Sequence, residues 1–329
     1  MPLSLRRGTV TAVVEEIEGL ARIEVDEEPC VAYPRLTGPV AVGDEVLVNV
    51  QARKLRLGSG GFDVLYANLT RGLDLRAVPD AHVMTLPYSP LQAAVQFVEE
   101  DGTELATSLA GMPVVCCSLH SQVAPAVAGI GREARVAYIQ LAGGALPVSL
   151  SDTLRALKAI GLVEMTIATG ACFDGDEQAV GVASALAWAA REEFDAAVCS
   201  IGPGIVGTAT SLGHGGLAAA EAANAASALS GSPVLAVRVS HGDPRDRHLG
   251  VSHHTRAVLR LAIGNVVVAW PAGLDAPKWL TDREEVDVTG WEDACEGLPL
   301  EHMGRGPVDD PWFFASAFAA GRLARSLLD

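Results

Sequence analysis

Two hydrophobic rhythms divide the chain. From Arg7 to about Thr70 apolar and polar residues alternate, as in Gly8–Val14, Ala21–Val25 and Asp44–Val50. A period of two marks strands with one buried face. Turn formers separate these runs: Gly19, Thr37-Gly38-Pro39, Gly43-Asp44 and Gly58-Ser-Gly-Gly61. Short strands at such spacing predict a small all-β barrel or sandwich over residues 1–75. A module of this kind serves most often for docking or oligomerisation, and less often as a small-ligand barrel. His82 to Glu100 reads as one or two further strands broken by Pro87 and Pro90, with Asp101-Gly102 as a tight turn.

From Met112 the rhythm changes. Continuous apolar runs now alternate with Ala-rich runs of helical period. Strands are predicted over 113–118, 136–141, 163–169, 196–201, 233–239 and 266–270. Helices are predicted over 122–133, 151–161, 176–193, 216–229 and 252–263. Ser151 and Ser252 read as N-caps and Gly161 as a C-terminal stop. Strands apolar on both faces, alternating with helices, predict a parallel, Rossmann-like, doubly wound sheet with helices on both faces. This α/β domain is expected to span residues 76–275.

Beyond it, Thr281–Asp310 carries ten acids and two arginines and reads as a solvated segment pinned by Trp279, Trp291 and Trp312. An amphipathic helix over 311–328 closes the chain, and residues 276–329 form the third region.

Composition narrows the class. Apolar residues make up 49% of 329 positions while aromatics make up 5%, so the core is built of small aliphatic side chains. A net charge of −16 argues against a nucleic-acid or anionic-membrane surface. No apolar run reaches the roughly 18 residues of a membrane helix, and the first residues do not read as a secretory signal. Six cysteines without a C-x-x-C pair fit a reducing, cytoplasmic setting.

The unusual chemistry falls in the loops that follow the predicted parallel strands. In an open parallel sheet those loops share the carboxyl edge, where ligands bind. One loop is Ser118-Leu-His120-Ser121 and another contains Gly143-Gly144. A third holds Cys172, Asp174, Asp176 and Glu177. Cys172 reads as structural before it reads as a nucleophile, because it has no fixed partner. The acids read as helix N-terminal caps or as oxygen ligands, with Asp243, for a divalent metal such as Mg²⁺ or Mn²⁺.

The fourth loop, Gly202-Pro-Gly204-Ile-Val-Gly207-Thr208, has the spacing of a dinucleotide loop. Pro203 interrupts it, and no helix opens directly after it. A tight turn, an anion-binding loop and a true dinucleotide fingerprint remain its three readings.

The fifth, Ser240–Arg256, is the densest. It holds His241, His248, His253 and His254, four of the eight histidines, among Asp243, Arg245, Asp246, Arg247 and Arg256. Arg245 and Arg247 alternate on an extended segment, as a clamp for phosphate or carboxylate would. Histidines in a first helical turn face the positive end of the dipole and stay neutral, fit for base, donor or ligand. Neighbouring helical residues point about 100° apart, so one of His253 and His254 is expected to work while the other packs. The plainer reading of the segment is an ion-pair network tying loop to sheet.

Four stretches are together similar to a bacterial family known as domain of unknown function 3866. They are Thr85–Gln92, Ser118–Gln122, Gly202–Thr208 and Asp243–Thr255. The resemblance covers nearly the whole chain. It implies a bacterial cytoplasmic protein and brings no activity, substrate or catalytic residues.

The residues themselves point to three functions. The first is a hydrolase or group transferase for a small anionic, phosphorylated metabolite. Gly202, Gly204, Gly207 and Thr208 would cradle the anion and Arg245 and Arg247 would clamp it. His253, His254 or His248 would move the proton, and Asp174, Asp176 or Asp243 would hold the metal. The second is a small-ligand sensor, and the third a structural, homo-oligomeric protein.

Overall fold

Alternation in the first sixty residues closes a barrel. The computed structural model describes residues 3–55, 61–100 and 102–328. Strands β1 (Leu5–Ile17), β2 (Leu20–Val25), β3 (Glu28–Ala32), β4 (Glu45–Asn49) and β5 (Asp63–Asn68) pair in the order β1-β2-β3-β5-β4, and β4 returns to β1. The inward set, including Val10, Ile23, Val25, Val46, Val48 and Leu65, fills the interior. Closure removes the exposed strand edges that an open sheet this small would carry. Two single-turn helices, α1 (Pro34–Thr37) and α2 (Gln51–Lys54), join the strands. Residues 58–60 of the predicted Gly-rich turn, and Asp101 of the predicted tight turn, lie outside the described residues. A two-stranded pair, β6 (Val83–Thr85) and β7 (Ala93–Val95), completes this unit, which runs Met1–Gln96.

The second unit, Phe97–Asp329, is an α/β layer structure. Its strands are β8 (Pro113–Cys117), β9 (Val136–Leu141), β10 (Met165–Thr169), β11 (Glu177–Ala179), β12 (Ala196–Ile201) and β13 (Ser232–Ala236). After a short ribbon of β14 (Val239–Ser240) and β15 (Gly250–Val251) come β16 (Val267–Pro271) and β17 (Glu284–Val286). Eight of these form one sheet in the order β11-β10-β9-β12-β8-β13-β16-β17, and every pairing in it is parallel.

Strand geometry sends alternate side chains to opposite faces, and both faces are dry. Val115, Cys117, Val136, Tyr138 and Val198 meet α3 (Val123–Ile130), α4 (Asp152–Ala159), α8 (Trp291–Ala294) and α9 (Pro311–Ser326). Val114, Cys116, Ile139, Cys199 and Leu235 meet α5 (Val182–Arg191), α6 (Ala218–Ala228) and Val258 of α7 (His253–Leu261). That two-sided burial is why these strands read as unbroken apolar runs.

Two predicted elements differ. The helix expected from Asp176 starts at Val182, capped by Gly181, because residues 177–179 pair with β10 as an edge strand. Asp176 therefore caps no helix; its carboxylate accepts from Lys158 Nζ at 2.6 Å and from Thr166 N and Oγ1 at 2.8 Å. The acidic segment is also more ordered than its composition suggests. Within it β17 adds the eighth strand, and Trp291 is buried against Phe314. Among the described residues no helix is long and apolar enough to cross a membrane. All six cysteines are buried and unbridged.

Candidate functional site

Local sequence pins the histidine-rich segment at its neck. The ribbon pairs Val239 with Val251, closing residues 241–249 into a loop. Arg238 N donates to Thr255 Oγ1 at 2.8 Å, and Ser252 N donates back to the Arg238 carbonyl at 2.9 Å. Ser252 caps α7 by accepting from His254 N, and the same Oγ meets His248 Nδ1 at 2.7 Å. Thus α7 begins where the loop ends, and His248, His253 and His254 gather at one helix terminus.

A fourth ring comes from a loop far away in sequence. His214 ends the excursion after β12 and stacks on His254, with centroids 3.7 Å apart and planes 17° apart. His253 lies 4.5 Å from His254 and 5.5 Å from His214, and His248 lies 4.9 Å from His253. The angular offset between neighbouring helical residues does not separate His253 from His254 here. One nitrogen from each of His214, His253 and His254 lies within 4.8 Å of the other two. Both nitrogens of His214 and Nε2 of His253 are buried without a hydrogen-bond partner among the described residues.

Charges sit directly behind the rings. Arg238 is 2% exposed. It donates from Nη1 to His254 Nδ1 at 3.0 Å and from Nη2 to His302 Nε2 at 3.3 Å and Asp243 Oδ2 at 3.4 Å. Arg245 grips Asp243 with a fork, Nε to Oδ1 at 2.8 Å and Nη2 to Oδ2 at 2.7 Å, and Arg305 adds a third contact at 3.3 Å. Asp310 accepts from Ser240 Oγ and His241 N and faces Arg305 Nε at 3.5 Å. His302 stacks on Phe313 and meets Ser121 Oγ at 3.0 Å.

Tautomers follow from these partners, because arginine only donates. His254 and His302 each accept on the nitrogen facing Arg238. The ring proton of His254 is therefore on Nε2, and that of His302 is on Nδ1. Burial, then the Arg238 charge, pulls His254 down to about 2 and His248 and His302 down to about 3. Burial lowers His253, with the Arg247 charge next, and burial and the His253 charge lower His214. The Ser211 backbone pulls His214 the other way without reaching hydrogen-bond geometry. Arg238 falls to about 10 through burial and stays charged at neutral pH. Asp243 lies well below the usual carboxylate range: burial opposes ionisation, and the Arg245 hydrogen bonds and neighbouring guanidiniums outweigh it. Three guanidiniums therefore face two carboxylates around uncharged rings, leaving one positive charge in excess.

The other expected site residues separate into groups. Asp243 is engaged by three arginines. Asp174 and Asp176 lie after β10, and β9, β12 and β8 stand between β10 and β13. At about 4.8 Å per strand that is a separation of about 19 Å, so these acids share no ion. The Gly202 loop folds against its neighbours: a Cβ on Gly202 would stand 2.1 Å from the Ala145 carbonyl oxygen. Gly204, Gly207 and Thr208 are exposed, and Thr208 N bonds to the Gly213 carbonyl at 2.7 Å. Burial raises the Cys172 thiol to about 12, which keeps it protonated. Arg245 is committed to Asp243, whereas Arg247 is exposed.

Sequence reasoning passed over His214, Arg238, His302, Arg305 and Asp310. His214 lay six residues beyond Thr208, the end of the Gly loop as read. Arg238 hides in an apolar run, and the last three fall in the acidic segment or at its end.

A family model described as Protein of unknown function (DUF3866) matches residues 29–321, and the chain belongs to that family. No curated protein matches it.

Proposed function

We propose that this member of the DUF3866 family binds a small anion, a phosphate ester or carboxylate, over the histidine cluster and moves a proton on it. The observation that carries the reading is the excess of guanidinium charge beside five imidazoles held neutral. An anion supplies the missing negative charge. The Rossmann-like, doubly wound reading of the sheet belongs to the same proposal. The chain leaves β8 through α3 on one face and β12 through α6 on the other, the arrangement that opens a crevice at the carboxyl edge.

Arg247, exposed and acting on His253, is the guanidinium available to clamp. His253 is the general base: neutral, half-buried, with Nε2 uncommitted. An arriving anion cancels the Arg247 field and raises His253 toward working pH, where a base is most effective. His254 is a hydrogen-bond donor through Nε2–H, because a neutral imidazole is too weak an acid to release that proton. The reaction class is hydrolysis or transfer of a phosphate ester: His253 takes the proton of the attacking water or hydroxyl as its oxygen bonds to phosphorus, the ester P–O bond breaks, and the leaving oxygen takes a proton from solvent. Buried, unbridged cysteines support a reducing, cytoplasmic setting.

A second reading is favoured by Asp243. Its three arginine contacts are those of an ion-pair network that fixes the loop, with a ligand sensed and not turned over. Thermal shift with phosphate, carboxylates and phosphate monoesters in EDTA separates the readings, followed by turnover assays on any stabilising compound. A ligand at 100 times its dissociation constant adds about 2.7 kcal/mol. Stabilisation lost in Arg247→Ala and turnover lost in His253→Gln support the enzyme. Stabilisation without turnover supports the sensor. No stabilisation by any anion removes both.

A further inference from the structure

An anion accounts for the arginines but not for the imidazole nitrogens left bare. His214 is 6% exposed, and among the described residues neither of its ring nitrogens has a hydrogen-bond partner. His253 Nε2 is buried and equally unpartnered. Buried polar atoms are paired in the great majority of cases, so a cluster of unpaired ones calls for an occupant. With His254, these rings bring three nitrogens within 4.8 Å of one another.

We propose that His214, His253 and His254 form a binding site for a divalent transition-metal ion. The donor set selects the ion class. Three imidazoles without carboxylate or thiolate suit Zn²⁺, Co²⁺, Ni²⁺ or Cu²⁺ and not Mg²⁺ or Mn²⁺. Three protein ligands leave a fourth tetrahedral position for water or an anion.

Two features resist the ion, and each has a way round. Arg238 adds positive charge, which Asp243 and Asp310 offset within the same network. Arg238 also donates to His254 Nδ1, which places the His254 proton on Nε2 and leaves neither nitrogen free to coordinate. Coordination therefore moves that proton to Nδ1 and turns Arg238 from His254 toward Asp243. The stacked His214 and His254 rings open at the same time. Metal–nitrogen bonds of about 2.0–2.1 Å bring tetrahedral ligand atoms to about 3.3 Å apart. With the ion bound His253 is a ligand, and His248, its Nδ1 held by Ser252, is the imidazole left for proton transfer.

This inference does not depend on the anion reading. Phosphate binding measured in EDTA tests the arginines alone, and metal binding measured without phosphate tests the histidines alone. The experiment is titration of EDTA-dialysed full-length protein with Zn²⁺ and with Co²⁺ at neutral pH, followed by calorimetry and visible absorption. The expected result is one equivalent bound, with a rise in melting temperature that EDTA reverses. His214→Gln and His253→Gln should each weaken binding by more than about 10-fold, the least that loss of an outer partner of a ligand costs. His241→Gln, an exposed histidine outside the trio, should bind as the parent does. X-ray absorption of the Co²⁺-loaded parent protein needs no variant and should count three imidazoles. Absence of stoichiometric binding, binding unchanged in His214→Gln and His253→Gln, or a shell without imidazole overturns the proposal.

Discussion

Arg238 Nη1 donates to His254 Nδ1 across 3.0 Å, and both side chains are buried. This contact orders the site twice over. It sets the His254 tautomer, and it places a full positive charge where four more imidazoles feel it or its neighbours. Replacing Arg238 by Met leaves Asp243 with two arginines and frees the nitrogens of His254 and His302 that it now satisfies. Breaking a buried charge network this way costs roughly 3–5 kcal/mol, read by urea denaturation. Arg238→Lys should restore little, because one ammonium cannot span His254, His302 and Asp243 as the fork does. A loss below about 1 kcal/mol for the Met variant would mean the network adds nothing to folding.

Acid should unfold the protein through its histidines before its carboxylates. His120 is lowered to about 4, and His248 and His302 to about 3, each chiefly by burial. An unfolded imidazole titrates near 6.5. These groups therefore give their full stability above pH 6.5 and lose it as pH falls toward 4 and 3. Each neutral imidazole steepens the decline by up to about 1.4 kcal/mol per pH unit. Asp243, lowered by Arg245 and its neighbours against burial, adds a second loss only below the unfolded carboxylate value near 4. Urea midpoints from pH 8 to 4 give the curve, and a flat one from 6.5 to 4.5 would contradict neutral burial of the rings.

Each of two serines caps a helix and holds a histidine. Ser252 does so for α7 and His248, and Ser151 for α4 and His120, whose Nε2 is 2.6 Å away. Ser252→Ala and Ser151→Ala should each cost about 1 kcal/mol as lost caps. Only the first should weaken anion binding, because His120 packs at the end of β12 through the Ile201 carbonyl. Equal effects on binding would place His120 in the same site.

Glycine in the 202–207 loop serves packing at one position and backbone conformation at another. Gly202→Ala forces a methyl against the Ala145 carbonyl and should cost roughly 1–3 kcal/mol. Gly204 has φ of 71° with open space around it, so Gly204→Ala costs only about 1 kcal/mol of backbone strain. Melting temperatures in the reverse order would point to a ligand-shaped loop at Gly204.

What the sequence made legible follows from what is local. Strands β9 and β12 match the apolar runs 136–141 and 196–201 residue for residue, because burial on both faces leaves an unbroken signal. Ser151 and Ser252 were readable as caps because a cap bonds two or three residues away. The edge strand β11 was not, since three residues of Glu-Gln-Ala carry no period and owe their conformation to β10. His302 reaches Arg238 across 64 residues, and His214 reaches His254 across 40. Such partners are set by the sheet, which lines up the ends of distant loops, and no spacing rule along the chain encodes them.

The most direct measurement is the imidazole ¹⁵N spectrum of the protein in EDTA, titrated with inorganic phosphate at pH 7. His253 and His248 should begin as neutral rings. As phosphate fills the site, their resonances should move and the apparent pKa of His253 should rise, with no such change in Arg247→Ala. Rings already protonated without phosphate, or neutral rings indifferent to saturating phosphate, would contradict an anion site built on arginine charge and neutral histidine.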